Sequence, residues 1–271
     1  MIARRTLDKK YIEWNKRWSA PYGKTFSLSP LFPLTITQEY IKEHITFINI
    51  PLISYLGPFS LKANSSTRTY EYPWAFYVTK LEKGMNVVEI GGGLSGLQFV
   101  LSKTGLNVTN VDPGNSERHW QHNFRQIEIL NKAFGTDVKL ITKRVKEAKF
   151  ENGTIDRVFC ISVIEHLSEA EISSIFTNVY KILKKGGYFI LTVDLFLDLF
   201  PFTHKKRNKW GTNVAINTLI KNYDFELYIG EKSELFGFEE FQPKEILEKL
   251  PDYYMGSSWP VIPQLLVLRK V

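Results

Sequence analysis

Three glycines, Gly91, Gly93 and Gly96, stand in the spacing G-x-G-x-x-G directly behind the apolar run Val87-Val88-Glu89-Ile90. Between a strand and a helix, that spacing makes a turn whose backbone N–H groups can approach a nucleotide closely, because glycine carries no Cβ to hold the ligand off. Asp112 closes the next apolar run, 112 − 91 = 21 residues after the first glycine. From that position a carboxylate accepts hydrogen bonds from ribose hydroxyls, although Asp112-Pro113-Gly114 is also good turn chemistry. Two histidines are candidate general bases: His166, in the turn after the apolar run 156–162, and His204, in the later insertion 195–212. Glu165 and Asp194 are acids expected at the same rim. His119 and His122 lie three apart on an expected helix, but no third ligand pattern accompanies them, so no metal site is expected. Cys160 lies inside an apolar run and reads as a packing residue.

The elements that must position these groups follow from hydrophobic period. Short apolar runs at 86–90, 107–111, 138–142, 156–162 and 188–193 alternate with amphipathic stretches at 95–103, up to Phe134, and at 168–184. The last of these helices starts at a Ser168 cap with Glu171 three residues on, and Gly186-Gly187 is expected to end it. Two further strands are expected at 225–230 and 264–269. Alternating strands and helices predict an α/β fold, a doubly wound, mainly parallel seven-stranded sheet. Residues 1–84 differ: they are rich in aromatic residues, are broken by prolines at 21, 30, 33, 51 and 58, and look helical at 7–18 and 35–47. They are expected to form a cap or lid on a domain spanning 85–271, with substrate-side insertions at 195–212 and 231–263.

The glycine turn and Asp112 suit a nicotinamide dehydrogenase as well as an S-adenosylmethionine enzyme. Three further features separate the two: Glu89, two residues before Gly91; the segment Ile155-Asp156-Arg157-Val158-Phe159-Cys160-Ile161-Ser162-Val163-Ile164-Glu165-His166-Leu167; and Leu183-Lys184-Lys185-Gly186-Gly187-Tyr188-Phe189. In this order and spacing they resemble the class I S-adenosylmethionine-dependent methyltransferases, in their small-molecule branch. The resemblance covers about residues 72–195 well and the C-terminal strands weakly. It implies S-adenosylmethionine as cofactor, with Glu89, Gly91, Gly92 and Gly93 lining its methionine portion, Asp112 holding its ribose hydroxyls and Ser162 facing the methionine end. Where such enzymes often carry an acid near the adenine, Arg144 or Val145 stands here, and adenine contacts stay unassigned. The resemblance also implies O- or N-methylation of a small molecule, in which a base is needed only if the acceptor must lose a proton.

Composition sets the outer bounds. A chain of 271 residues, 44% hydrophobic and 23% charged, is long enough for a large core and excludes disordered, collagen-like and disulfide-scaffold classes. The single cysteine excludes an internal disulfide and suggests a reducing compartment, and the N-terminus lacks the apolar region of a signal peptide, so a cytoplasmic protein is expected. No apolar run reaches the ~20 residues that a spanning helix needs, and no membrane partner is expected. The formal charge of +7 suggests an anionic partner. The base-amino signature Asn/Asp-Pro-Pro-Tyr is absent after the fourth strand, and the basic residues are scattered, so a nucleic-acid substrate is the weaker alternative, as is a protein substrate. A non-catalytic S-adenosylmethionine-binding subunit is a further alternative. The favoured acceptor is an anionic small molecule, with a sugar or glycoconjugate intermediate as one form.

Overall fold

A computed structural model describes residues 1–18, 26–29, 32–36, 50–59, 66–114, 124–257 and 259–271. Its centre is a seven-stranded sheet of β3 (Asn86–Ile90), β4 (Asn107–Val111), β5 (Lys139–Ile141), β6 (Ile155–Ile161), β7 (Leu183–Phe196), β8 (Phe225–Ile229) and β9 (Val261–Lys270), in the order β5-β4-β3-β6-β7-β9-β8. The first five run parallel, and β9 lies antiparallel between β7 and β8. A strand buried on both faces is apolar at nearly every position, and the period of two then sends alternate side chains to opposite layers. In β6, Phe159 and Ile161 join the layer that holds helices α4 (Gly96–Lys103) and α5 (Phe124–Phe134). Val158 and Cys160 join the layer of α6 (Glu169–Ile182) and α7 (Ile216–Asn222) on the other face. Cys160 is a buried packing residue, as expected.

The lead-in shares the first of these cores. Helices α1 (Lys9–Trp18), α2 (Ile50–Leu56) and α3 (Arg68–Tyr77) bury Tyr11, Trp14, Ile53, Leu56, Tyr72 and Trp74 with Leu97 and Phe99 of α4. Phe59 is the keystone: its ring stands 5.4 Å from Trp14 and 5.1 Å from Tyr72. It also covers Gly96, where an added Cβ would come within 2.6 Å of the ring, so this glycine lets the lead-in approach the first helix of the sheet domain. The chain start closes a gap as well. β8 pairs β9 only at 267–270, and residues 1–3 take up the adjoining edge, with Ala3 N–H donating to Pro263 O at 3.0 Å and Leu265 N–H to Met1 O at 2.6 Å. Covering that edge removes unpaired backbone groups from solvent.

Several boundaries differ from expectation. Helix α6 ends at Ile182 rather than at the glycine pair, because Leu183 already pairs with Ile155 as the first residue of β7. A register shift between Ile155 and Arg157 absorbs Lys184 to Gly187, and Lys184 Nζ holds Asp156 at 2.7 Å. The Ser168–Glu171 capping box is formed. Strands β7 and β9 run past their expected ends to Phe196 and back to Val261, since each supplies the other's hydrogen bonds. Residues Thr35 and Ile36 belong to strand β2 (Phe32–Ile36), paired antiparallel with β1 (Phe26–Ser29), not to a helix; 37–49 lie outside the described residues. His119 and His122 also lie outside them. No helix among the described residues is long and apolar enough to cross a membrane.

Candidate active site

The strand order reverses between β3 and β6, and in such sheets ligands bind at the carboxyl ends of the strands beside that switch point. At the end of β3, Gly91 adopts φ +68° and Gly93 φ +56°, a region that favours glycine. A Cβ on Gly91 would also press to 2.8 Å from the Val163 side chain. The turn is fastened at several points. Asn110 Nδ2 and Gln98 Nε2 both donate to Gly93 O, at 2.9 and 3.0 Å, and Ser95 Oγ donates to Glu89 Oε1 at 2.7 Å. Gly93 N–H donates to Asp112 Oδ2 and Gly114 N–H to Asp112 Oδ1, each at 2.8 Å. Asp112 thus sits between the glycine turn and the turn after β4. Glu89, Gly91, Gly92, Gly93 and Asp112 therefore converge on one place.

Ser162 ends β6 nearby, with φ +45°, a conformation that costs a non-glycine residue roughly 1–3 kcal/mol. What holds it is a buried polar knot reaching in from the lead-in. Glu71 Oε1 accepts from Ser162 Oγ and from Thr192 Oγ1, both at 2.5 Å. Glu71 Oε2 accepts from Arg68 Nη1 at 2.5 Å, and the same guanidinium nitrogen donates to Ser162 Oγ. Thr192 and Asp194 alternate along β7 and so share a face; Asp194 Oδ1 lies 3.5 Å from Ser162 Oγ. Burial pushes the Glu71 carboxyl up, but the Arg68 charge and the hydrogen bonds from Ser162, Thr192 and Arg68 outweigh it and hold Glu71 below its ordinary value.

The other two acids of the knot are shifted the opposite way. Burial, reinforced by the charges of Glu165 and Glu71, raises Asp194 well above the carboxylate range. Glu165 is fully buried, and neither of its oxygens has a hydrogen bond of ordinary geometry among the described residues. Its burial, only partly offset by nearby N–H groups and by Arg68, pushes it up to about 8. One carboxyl held down beside two pushed up brings groups of unequal proton affinity together at the strand ends.

His166 borders this knot. Its Nδ1 hydrogen-bonds to the Trp210 carbonyl, so Nδ1 carries the proton in the neutral ring, and Nε2 stands 3.8 Å from Glu165 Oε1. His204 is exposed in the loop after β7, and no contact among the described residues ties it to the strand ends. Arg144, at the place where an adenine-side acid was sought, pairs with Glu171 at 3.1 Å, and Val145 is buried. The sequence marks 68–74 as a substrate-side segment for its rings, but not the polar roles of Arg68 and Glu71, and Thr192 is not marked at all. The one available signal was a cation and an anion three apart in the otherwise aromatic stretch 68–77.

Residues 88–191 match the family model described as a methyltransferase domain. The chain is 20% identical over 199 residues to the sterol 24-C-methyltransferase of Saccharomyces cerevisiae, a match covering 70% of this chain and 49% of that protein. It therefore spans about half the length of that curated relative. Among solved structures, phosphoethanolamine N-methyltransferase 2 of Haemonchus contortus, in complex with phosphomonomethylethanolamine and S-adenosylhomocysteine, gives a TM-score of 0.49 at 16% identity, covering 88% of this chain and 61% of that one. A S-adenosylmethionine-dependent methyltransferase from Methanosarcina mazei gives 0.46 at 17% identity, covering 70% and 94%.

Proposed function

Because residues 88–191 match a family model described as a methyltransferase domain, we propose that this chain is a class I S-adenosylmethionine-dependent methyltransferase and transfers the methyl group of S-adenosylmethionine to an oxygen or nitrogen of a small-molecule acceptor. The observation that carries this reading is the convergence of Glu89, the glycine turn and Asp112 at the switch point of the sheet. The residues fit the cofactor: the turn presents bare backbone where a Cβ on Gly92 would collide with Glu89 at 2.9 Å, and the two carboxylates end adjacent strands paired in register. Glu89 and Gly91 to Gly93 would take the methionine portion, Asp112 the ribose hydroxyls, and Ser162 the methionine end, held there by Glu71.

When bound, S-adenosylmethionine supplies a methyl group already activated by its sulfonium. The protein then has to align the acceptor, keep water out and receive a proton where the acceptor carries one. The lead-in, residues 1–84, serves as the cap that excludes water, and Arg68 and Glu71 lock it to the strand ends. His166 is assigned as first candidate base through Nε2, which stands 3.8 Å from Glu165 Oε1; His204 is the second candidate. The test is transfer of tritiated methyl from S-adenosylmethionine to a panel of hydroxyl- and amine-bearing small molecules, including anionic ones and sugars. Label should appear in an acceptor of one class. Cofactor binding with no transfer to any acceptor would instead identify a non-catalytic binding subunit.

A further inference from the structure

The loop between β7 and α7, expected from the sequence to be part of a substrate-side insertion, carries cations and rings to which no step of the proposed reaction assigns a role. Lys205, Lys206, Arg207 and Lys209 are all exposed. Among the described residues no side chain of the four forms an ion pair, and the Lys209 ammonium stands 4.8 Å from the Trp210 ring. The loop's own acid, Asp198, is turned to Asn208, whose Nδ2 donates to Asp198 Oδ1 at 3.0 Å. Beside these cations stand two large aromatic side chains, Phe200 at 57% exposure and Trp210 at 37%, the latter stacked on Trp259 at 4.8 Å.

The loop is built rather than slack. Asn208 Oδ1 accepts from Trp210 N–H at 2.8 Å and Gly211 N–H at 3.0 Å. Asn213 Nδ2 donates to Phe196 O and Phe200 O, each at 2.9 Å. Its root is fixed to the candidate active site: Thr212 N–H donates to Glu165 O at 2.9 Å. Gly211 lies so close that a Cβ would stand 2.1 Å from the same oxygen, and the Trp210 carbonyl meets His166 Nδ1.

We propose that this loop is a peripheral docking surface for an anionic lipid bilayer, which brings the mouth of the site to the membrane plane. A small free anion would engage the cations but not Phe200, whose ring meets Phe236 at 6.2 Å and still leaves more than half of its surface exposed beside them. A bilayer with acidic headgroups satisfies both: lysine and arginine pair with headgroup charges, while aromatic rings settle at the interface. The absence of a spanning segment, on which no membrane partner was expected, has no bearing on a surface contact.

The test is flotation of the full chain with vesicles of phosphatidylcholine containing phosphatidylserine, against phosphatidylcholine alone, with the thermal midpoint of each variant as a folding control. The chain is expected to bind the acidic vesicles, more weakly as salt rises. The triple variant K205Q/K206Q/R207Q should bind about a hundredfold more weakly, from roughly fivefold per cation. Phe200→Ser should weaken binding without changing the salt dependence. Failure of the wild-type chain to bind acidic vesicles, or equal binding by the triple variant, overturns the proposal. So does tighter binding to single-stranded RNA that the triple variant loses, since the surface would then serve a nucleic acid. Each result is independent of whether the chain transfers methyl groups.

Discussion

Ser162 Oγ donates a 2.5 Å hydrogen bond to Glu71 Oε1 across 91 residues of chain, and this bond makes the lead-in a constituent of the site rather than a neighbour of it. Glu71 also neutralises Arg68 at 2.5 Å, inside a region where both side chains are largely buried. Removing one member of a buried ion pair leaves the other charged and unpaired, at a cost of roughly 3–5 kcal/mol. Glu71→Ala should therefore lower unfolding free energy by about that amount in urea denaturation, and should weaken S-adenosylhomocysteine binding by releasing the strained turn at Ser162. A loss below about 0.5 kcal/mol, the scale of an ordinary surface substitution, would show that the knot does not hold the site.

Glu165 makes stability depend on pH in a defined direction. Its ordinary value is 4.5, and burial raises it to about 8 in the folded protein. Below the lower value the carboxyl is protonated in both states and contributes nothing to the slope. As pH rises through that window the unfolded chain gives up the proton while the native protein keeps it. Stability then falls by up to roughly 1.4 kcal/mol per pH unit and levels off above the folded value. Glu165→Gln should remove this component, so that the variant gains on the wild type between pH 5 and pH 8 (approximate limits of the window). Parallel stability–pH curves for the two proteins would contradict the buried, protonated Glu165.

The glycine turn offers a sharper steric test. At Gly91, both the φ of +68° and the 2.8 Å approach of an added Cβ to Val163 oppose a side chain. Gly91→Ala should cost about 1–3 kcal/mol of stability and weaken S-adenosylhomocysteine binding. Asp112→Ala should weaken that binding by about tenfold or more, since it removes both the proposed hydroxyl acceptor and the anchor of Gly93 N–H, a change of roughly 1.4 kcal/mol or more.

The parallel half of the sheet was legible because each strand carries a short apolar stretch between amphipathic segments, and β3 and β4 fall where their residues predict. Strand ends were less legible. The extension of β7 to Phe196 depends on pairing with β9, about seventy residues away, and Leu183 leaves its helix because Ile155 is there to pair with it. Glu89, the glycines and Asp112 announce themselves by local spacing. Glu71 does not: it reads as one polar residue in the aromatic stretch 68–77, and its meaning arises only when α3 is laid against the ends of β6 and β7. Ser162 was placed at the correct strand end, but its bond to the lead-in had no local signature.

The two histidines separate by contact. His166 is tied to the Trp210 carbonyl and stands beside Glu165, whereas His204 is exposed. Once an acceptor is in hand, His166→Ala should lower kcat by about 10²-fold or more if proton removal accompanies transfer, and His204→Ala should change it less. Unchanged turnover in both variants would remove general-base catalysis by histidine from the mechanism.

The central claim is that the glycine turn, Glu89 and Asp112 form a S-adenosylmethionine site rather than a nicotinamide site. Calorimetric titration of the wild-type chain with S-adenosylhomocysteine and, separately, with NAD(H) tests it directly. The structure predicts saturable binding of S-adenosylhomocysteine at one site per chain, weakened in Asp112→Ala, and no binding of NAD(H). Saturable binding of NAD(H) with none of S-adenosylhomocysteine would contradict it.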